Sequence, residues 1–283
     1  MITQSVITAV LIGIVITGVI PAIAGIALLA MHKIKATSFW AGVLAYIIAI
    51  IVYAIITLII TFSTMDLSSM SGVLETSTST GVQAVSQIAS AVCLALSMSI
   101  CIICCMKKTR TFVGALSCGL GFAAAHLISA ALSFITMYIN FLNVNSGGFD
   151  QQMAMMVNRG LYSKEDVNAM REQFTSITVS DVFSSVISSA ALALVFAAAA
   201  IFIMRGVCAK AAFVGMISSV LVLSAACVSA IIPNIAAALV VMAAIGAAAL
   251  IFAVRMKGQI VPPEKPAVQD DFLNSVTKAK NGE

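Results

Sequence analysis

Gly119-Leu-Gly-Phe-Ala-Ala-Ala-His126 is the stretch on which the fold turns. It lies inside an apolar run, residues 111–142, whose first half is lined with Gly114, Gly119, Gly121 and Ala125. Gly121 and Ala125 are four residues apart, a spacing that lets two helices approach backbone to backbone inside a bilayer. His126 is the one ionisable side chain, cysteines aside, that falls deep within such a run, and intramembrane ionisable groups face protein rather than lipid. The stretch therefore reads as the packing face of a helix at the centre of a membrane bundle.

Composition agrees with that reading. Of 283 residues, 61% are hydrophobic and 9% charged, and the mean hydropathy is +1.11. A soluble domain of this length needs more charged surface, whereas each bilayer crossing needs only about 20 apolar residues. Six further runs flank the central one, at residues 5–31, 38–62, 83–106, 182–204, 211–231 and 235–254. The expected fold is thus all-α, a polytopic bundle of about seven transmembrane helices. The first run has no positive residue before it and is too long for a signal-peptide core, so it reads as a retained helix, kinked at Pro21.

Charge sets the expected orientation. Lys33 and Lys35 follow the first run; Lys107, Lys108 and Arg110 follow the third; Arg205 and Lys210 follow the fifth; Arg255 and Lys257 follow the seventh. The loop at residues 63–82 carries Asp66 and Glu75 and no Lys or Arg. Positive residues stay on the inner side, which puts the N-terminus outside and the C-terminus inside. Residues 1–257 then form one bundle with an external helical loop at residues 143–181, and residues 258–283 form a polar cytoplasmic tail. Within the loop, Ser163 with Glu165 and Asp166 marks a helix start, and Val167, Met170 and Phe174 share one face. The location is a cell membrane, by its charge pattern a bacterial cytoplasmic one. The lipid bilayer is the obligatory partner, and the net charge of +4 gathers at segment ends and does not mark a nucleic-acid partner.

Chemistry-bearing residues are sparse. All eleven Asp and Glu residues fall in loops or the tail, and the histidines are His32, at the inner boundary, and His126. The seven cysteines sit mostly in apolar runs, which reads as small buried hydrophobes rather than a disulfide framework. Cys101 and Cys104 have a Cys-x-x-Cys spacing without the strand and helix of a redox domain. Cys104 and Cys105 adjoin a basic boundary suited to acylation. No metal, cofactor or catalytic set is expected from these residues.

The run Gly18-Val-Ile-Pro21, then Met31-His-Lys-Ile-Lys35 and Phe39-Trp-Ala-Gly42, resembles the opening of the YhfC-type membrane peptidases of bacteria. Lys107-Lys108 leading to Gly119-Leu-Gly121, Asn145-Ser146-Gly147 and the external helical loop follow the order of that family, which is related to the CAAX-type intramembrane proteases. The resemblance implies a Glu pair in the third helix and a Gly-x-Gly-His-Gly-Gly-x-Glu stretch in the fourth. Here the Glu pair falls on Leu94 and Ala95, the motif histidine on Phe122 and the motif glutamate on His126. Serines 188, 189, 218 and 219 occupy the later polar positions. The resemblance thus implies a degenerate member that binds or stabilises a membrane partner, another membrane protein or transmembrane segment. Two alternatives stay open: an active peptidase with a non-standard site around His126, and a carrier for a small neutral or hydrophobic solute.

Overall fold

A computed structural model describes residues 2–31, 33–64, 80–229 and 234–260. The chain forms α1 (Gln4–Ile14), a π-helical turn (Val15–Val19), α2 (Ile20–Ala30), α3 (Ala36–Thr64), α4 (Thr80–Cys105) and α5 (Phe112–Ser146). It continues through α6 (Gly148–Asn158), α7 (Lys164–Ser176), α8 (Val179–Cys208), α9 (Ala212–Ser229) and α10 (Ile235–Arg255), ending in a 3-10 turn (Lys257–Gln259). There is no strand among the described residues. His32, the acidic residues of the 63–82 loop, Pro233 and the tail from residue 261 lie outside them.

Six of these helical stretches are long and apolar enough to cross a bilayer: Gln4–Ala30, Ala36–Leu58, Gln87–Cys105, Phe112–Ser146, Val179–Cys208 and Ala236–Arg255. The protein is a polytopic membrane helix bundle. The sixth of the seven expected runs is the shorter one. Its apolar part, Ala212–Cys227, rises about 24 Å against a hydrocarbon core of roughly 30 Å. It nonetheless packs against α8, α4 and α10.

The interruption in the first run is not at Pro21 itself but in the turn before it. Proline lacks an N–H, and its ring clashes with the carbonyl four residues back. Here the helix widens over Val15–Val19, so that the Ile20 N–H donates to the Val15 carbonyl five residues earlier. Such a π-turn absorbs the misfit without breaking the rod. The buried Thr17 hydroxyl donates to the Gly13 carbonyl at 2.8 Å in the same turn.

The centre of the bundle is α8, where the sequence pointed to α5. In α8, 61% of the most apolar 18-residue stretch is buried, against 39% in α5. The reason is its run Ala197-Ala-Ala-Ala200, all of it buried, which presents methyl groups on every side and lets α5, α9 and α10 close on one rod. The glycines then set the crossings. A Cβ on Gly121 would overlap the Phe39 carbonyl, and one on Gly42 the Cys118 carbonyl, so α3 and α5 touch backbone to backbone. A Cβ on Gly119 would lie 2.6 Å from Ala197 Cα on α8. Gly114 differs: it abuts the Thr109 carbonyl in the turn before its own helix rather than a neighbouring one.

The segment 143–181 packs on its own bundle. Phe134, Phe141 and Val182 join Val10 of α1 in a second apolar cluster, against which Val167, Met170 and Phe174 of α7 rest. Ser163 and Asp166 cap α7 reciprocally. An exposed Arg171–Asp150 ion pair at 2.6 Å links α7 to α6. Asn145 pins the start of the chain to this end, accepting from the Ile2 N–H at 2.8 Å and donating to the Ile2 carbonyl at 3.0 Å.

The described charges are sorted between the two ends. Lys33, Lys35, Lys107, Lys108, Arg110, Arg205, Lys210, Arg255 and Lys257 lie at one end, without a described Asp or Glu. Asp150, Glu165, Asp166, Glu172 and Asp181 lie at the other, with Arg159, Lys164 and Arg171.

Candidate functional site

His126 sits among aromatic rings supplied by three helices. Its ring centroid lies 5.8 Å from that of Tyr46 on α3 and 5.2 Å from that of Phe196 on α8, both edge to face. Phe122, one turn earlier on α5, touches the same two rings, at 5.2 Å from Tyr46 and 4.8 Å from Phe196. Rings at 4.5–7 Å in tilted or edge-on contact are a stable way to fill a core. The cluster exists because Gly42 and Gly121 draw α3 and α5 together and Gly119 draws α5 to α8.

The polar contacts of the imidazole are few. Its Nδ1 is 3.4 Å from the Tyr46 hydroxyl, a long hydrogen bond, and its Nε2 is buried with no hydrogen-bond partner. The Ser133 hydroxyl donates to the Ser129 carbonyl at 3.2 Å. A serine nucleophile needs a base within hydrogen-bond reach of its hydroxyl, and that base needs an orienting partner. Here the orienting contact runs to a tyrosine, and all described carboxylates lie at the far end of the bundle.

Leu94 and Ala95 are elsewhere. They lie on α4, which packs along α3 and α9 and more lightly on α8, and is not a packed neighbour of α5. Ala95 is fully buried in the main core with Leu94 beside it. Their carbonyls accept from the hydroxyls of Ser97 at 3.0 Å and Ser99 at 2.7 Å. Leu94 and Ala95 thus share the main core with Phe122, on a helix that does not pack directly along α5. Among the described residues no three His, Cys, Asp or Glu side chains converge as metal ligands would. Of the later serines, Ser189 and Ser218 donate to carbonyls of their own helices. Ser219 shares its hydroxyl between Gly215 at 2.9 Å and Ala199 of α8 at 3.0 Å. The cysteines are all free thiols, with Cys104 and Cys105 exposed and Cys101 buried.

The structure adds a feature that sequence reasoning missed. An apolar groove of about 250 Å³ runs between Pro21 and Leu28 of α2, Leu120 and Ala124 of α5, Ala197 of α8 and Leu250 of α10. One wall, α2, buries none of its own residues. It is held to the bundle mainly through the π-turn and α5. The opposite wall is built from alanines, which leave room where leucines would fill it. Groove and histidine cluster are close along the chain, since Leu127 of α5 lines the groove beside His126.

No family model, curated protein or solved structure matches this chain. Fold and site together define a class, a multi-pass membrane protein with a lateral apolar groove and a histidine held in an aromatic cluster.

Proposed function

We propose that this protein acts by binding rather than by catalysis, as a degenerate relative of the YhfC-type membrane peptidases that takes an apolar guest from the bilayer into the groove between α2, α5, α8 and α10. The observation that carries the reading is the groove itself: continuous, apolar, and walled on one side by a helix with no buried residue. Pockets for small or flexible ligands are concave and mostly apolar. The separation of Leu94 and Ala95 from Phe122 and His126 supports the non-catalytic part. Even with carboxylates restored at the first pair, α4 and α5 are not packed neighbours.

In this reading α9 is the seventh crossing, and the basic end faces the cytoplasm by the rule that Lys and Arg stay inside. The residues of the groove then meet the bilayer from the side. A photoreactive residue at Leu120 or Ala124 would capture one discrete species in native membranes. Diffuse capture of bulk membrane components would contradict the proposal.

The alternative of an active peptidase rests on one observation, the unpaired Nε2 of His126. It requires cleavage of a membrane substrate that vanishes in His126→Ala, and unchanged cleavage removes it. Carriage of a neutral solute rests on the same groove. Equal uptake in cells with and without the protein, over a panel of apolar solutes, removes that reading.

A further inference from the structure

The basic end of the groove is chemically distinct from the rest of it. On α5, Leu116 and Leu120 line the groove, and Phe112 continues the same face one turn earlier. Two lysines contact the first residues of α5 there. Lys35 Nζ donates to the Thr111 hydroxyl at 3.3 Å, and Lys257 Nζ stands 5.8 Å from the centroid of the Phe112 ring. They arrive from different directions along the chain. Lys35 follows Ile34, itself part of the groove wall, and Lys257 lies two turns beyond Leu250, which forms the wall on α10. Thr111 and Phe112 open α5, so the positive end of that helix dipole adds to the two ammonium groups. No described Asp or Glu lies at this end to neutralise them.

An apolar slot with two unneutralised lysines at the start of a helix that lines it has the pattern of an anionic lipid: hydrocarbon along the slot, phosphate at the lysines. A phospholipid carries both features in one molecule, whereas an apolar transmembrane helix offers hydrocarbon side chains but no anionic group for the lysines.

We infer that this groove is a binding site for an anionic phospholipid, with the headgroup phosphate between Lys35 and Lys257 at the start of α5 and one acyl chain lying along Leu116, Leu120 and Leu250. The inference rests on the proposed binding function and names the class of its guest. The lysines set which headgroup is retained, and the alanine wall sets how deeply the chain enters.

The test is retention of two lipids by the full chain, one carrying phosphatidylglycerol and one phosphatidylcholine with identical acyl chains, read by native mass spectrometry after limited delipidation. Phosphatidylglycerol is expected to be retained preferentially at one molecule per chain. A lysine near an anionic surface contributes about fivefold, so Lys35→Gln and Lys257→Gln each lower the preference about fivefold, while Lys210→Gln at the same end leaves it unchanged. Lys257→Gln carries the test if Lys35→Gln unfolds the protein, since Lys257 lies beyond the last membrane helix. Equal retention of the two lipids overturns the headgroup assignment and leaves an apolar guest intact. Retention of neither overturns the binding reading as well. Displacement of phosphatidylglycerol by inorganic phosphate at millimolar concentration would mark a soluble-anion site and overturn the lipid. A preference that emerges only when residues 261–283 are deleted would make that polar tail the occupant, and likewise overturns it.

Discussion

At the level of single residues, the glycines of the α3 and α5 crossing carry more weight than the histidine between them. Gly121→Ala places a methyl group against the Phe39 carbonyl, a backbone atom that cannot turn aside. Overpacking of this kind costs about 1–3 kcal/mol, so thermal unfolding in mild detergent should fall clearly for Gly121→Ala and for Gly42→Ala. Gly258→Ala, where nothing lies within 4 Å, should leave the midpoint unchanged. His126→Phe should be tolerated or slightly stabilising, because it gives up one 3.4 Å contact and removes a buried nitrogen with no partner. An unsatisfied buried polar group costs about 1–3 kcal/mol. A large loss of stability in His126→Phe would show that the imidazole has a polar role the aromatic cluster does not explain. That His126 faces protein was legible from the rarity of charge in the run. Its partner Tyr46 was not, because 80 residues separate the two and no periodicity links them. Likewise Gly114 shares the composition of Gly119 and Gly121, but only the crossing geometry distinguishes a glycine in a turn from one at a helix contact.

At the level of elements, the reciprocal cap at Ser163 and Asp166 ties α7 to the pH of the surrounding solution. The Asp166 carboxylate accepts from the Ser163 N–H at 2.9 Å and from its hydroxyl at 2.8 Å, and these bonds hold it below the ordinary carboxylate range. A depressed carboxylate adds stability above its unfolded value, near pH 4, and loses it as pH falls through the folded value. Amide protection in α7 should therefore be level from pH 7 to about pH 5 and decline below about pH 4. Asp166→Asn should flatten that dependence, as followed by hydrogen exchange, while a decline of equal size in the variant would assign the effect to another group. The serine and the acidic residues after it made this start readable in advance, as capping is local chemistry. The place of α8 at the centre was not readable, since the Ala-rich run of α8 and the Gly-rich run of α5 are equally suited to close packing and only the assembled bundle ranks them. Pro21 announced an interruption. Its form, a widened turn upstream, depends on where the strain is least costly, and that is set by Thr17 and the packing of α1.

For the whole molecule, the sorting of charge makes topology the first consequence to check. In a chain with its native cysteines replaced by serine, Lys210→Cys should react with a membrane-impermeant maleimide only from the cytoplasmic side, and Lys164→Cys only from the opposite side. The reverse pattern would invert the account of which leaflet meets the groove. The class of fold was legible throughout, because 20-residue apolar runs and basic turns repeat a constraint the bilayer imposes on every crossing. The groove was not legible. It is a gap between α2 and a wall of alanines, and sequence records side chains rather than the spaces they leave. What fills that space is the most direct question to put to the molecule. A structure of the protein in lipid nanodiscs containing phosphatidylglycerol should show one extended chain of density along Leu116, Leu120 and Leu250, with its head beside Lys35 and Lys257. A groove that is empty, or closed by α2 folded down onto α8, would contradict the phospholipid assignment.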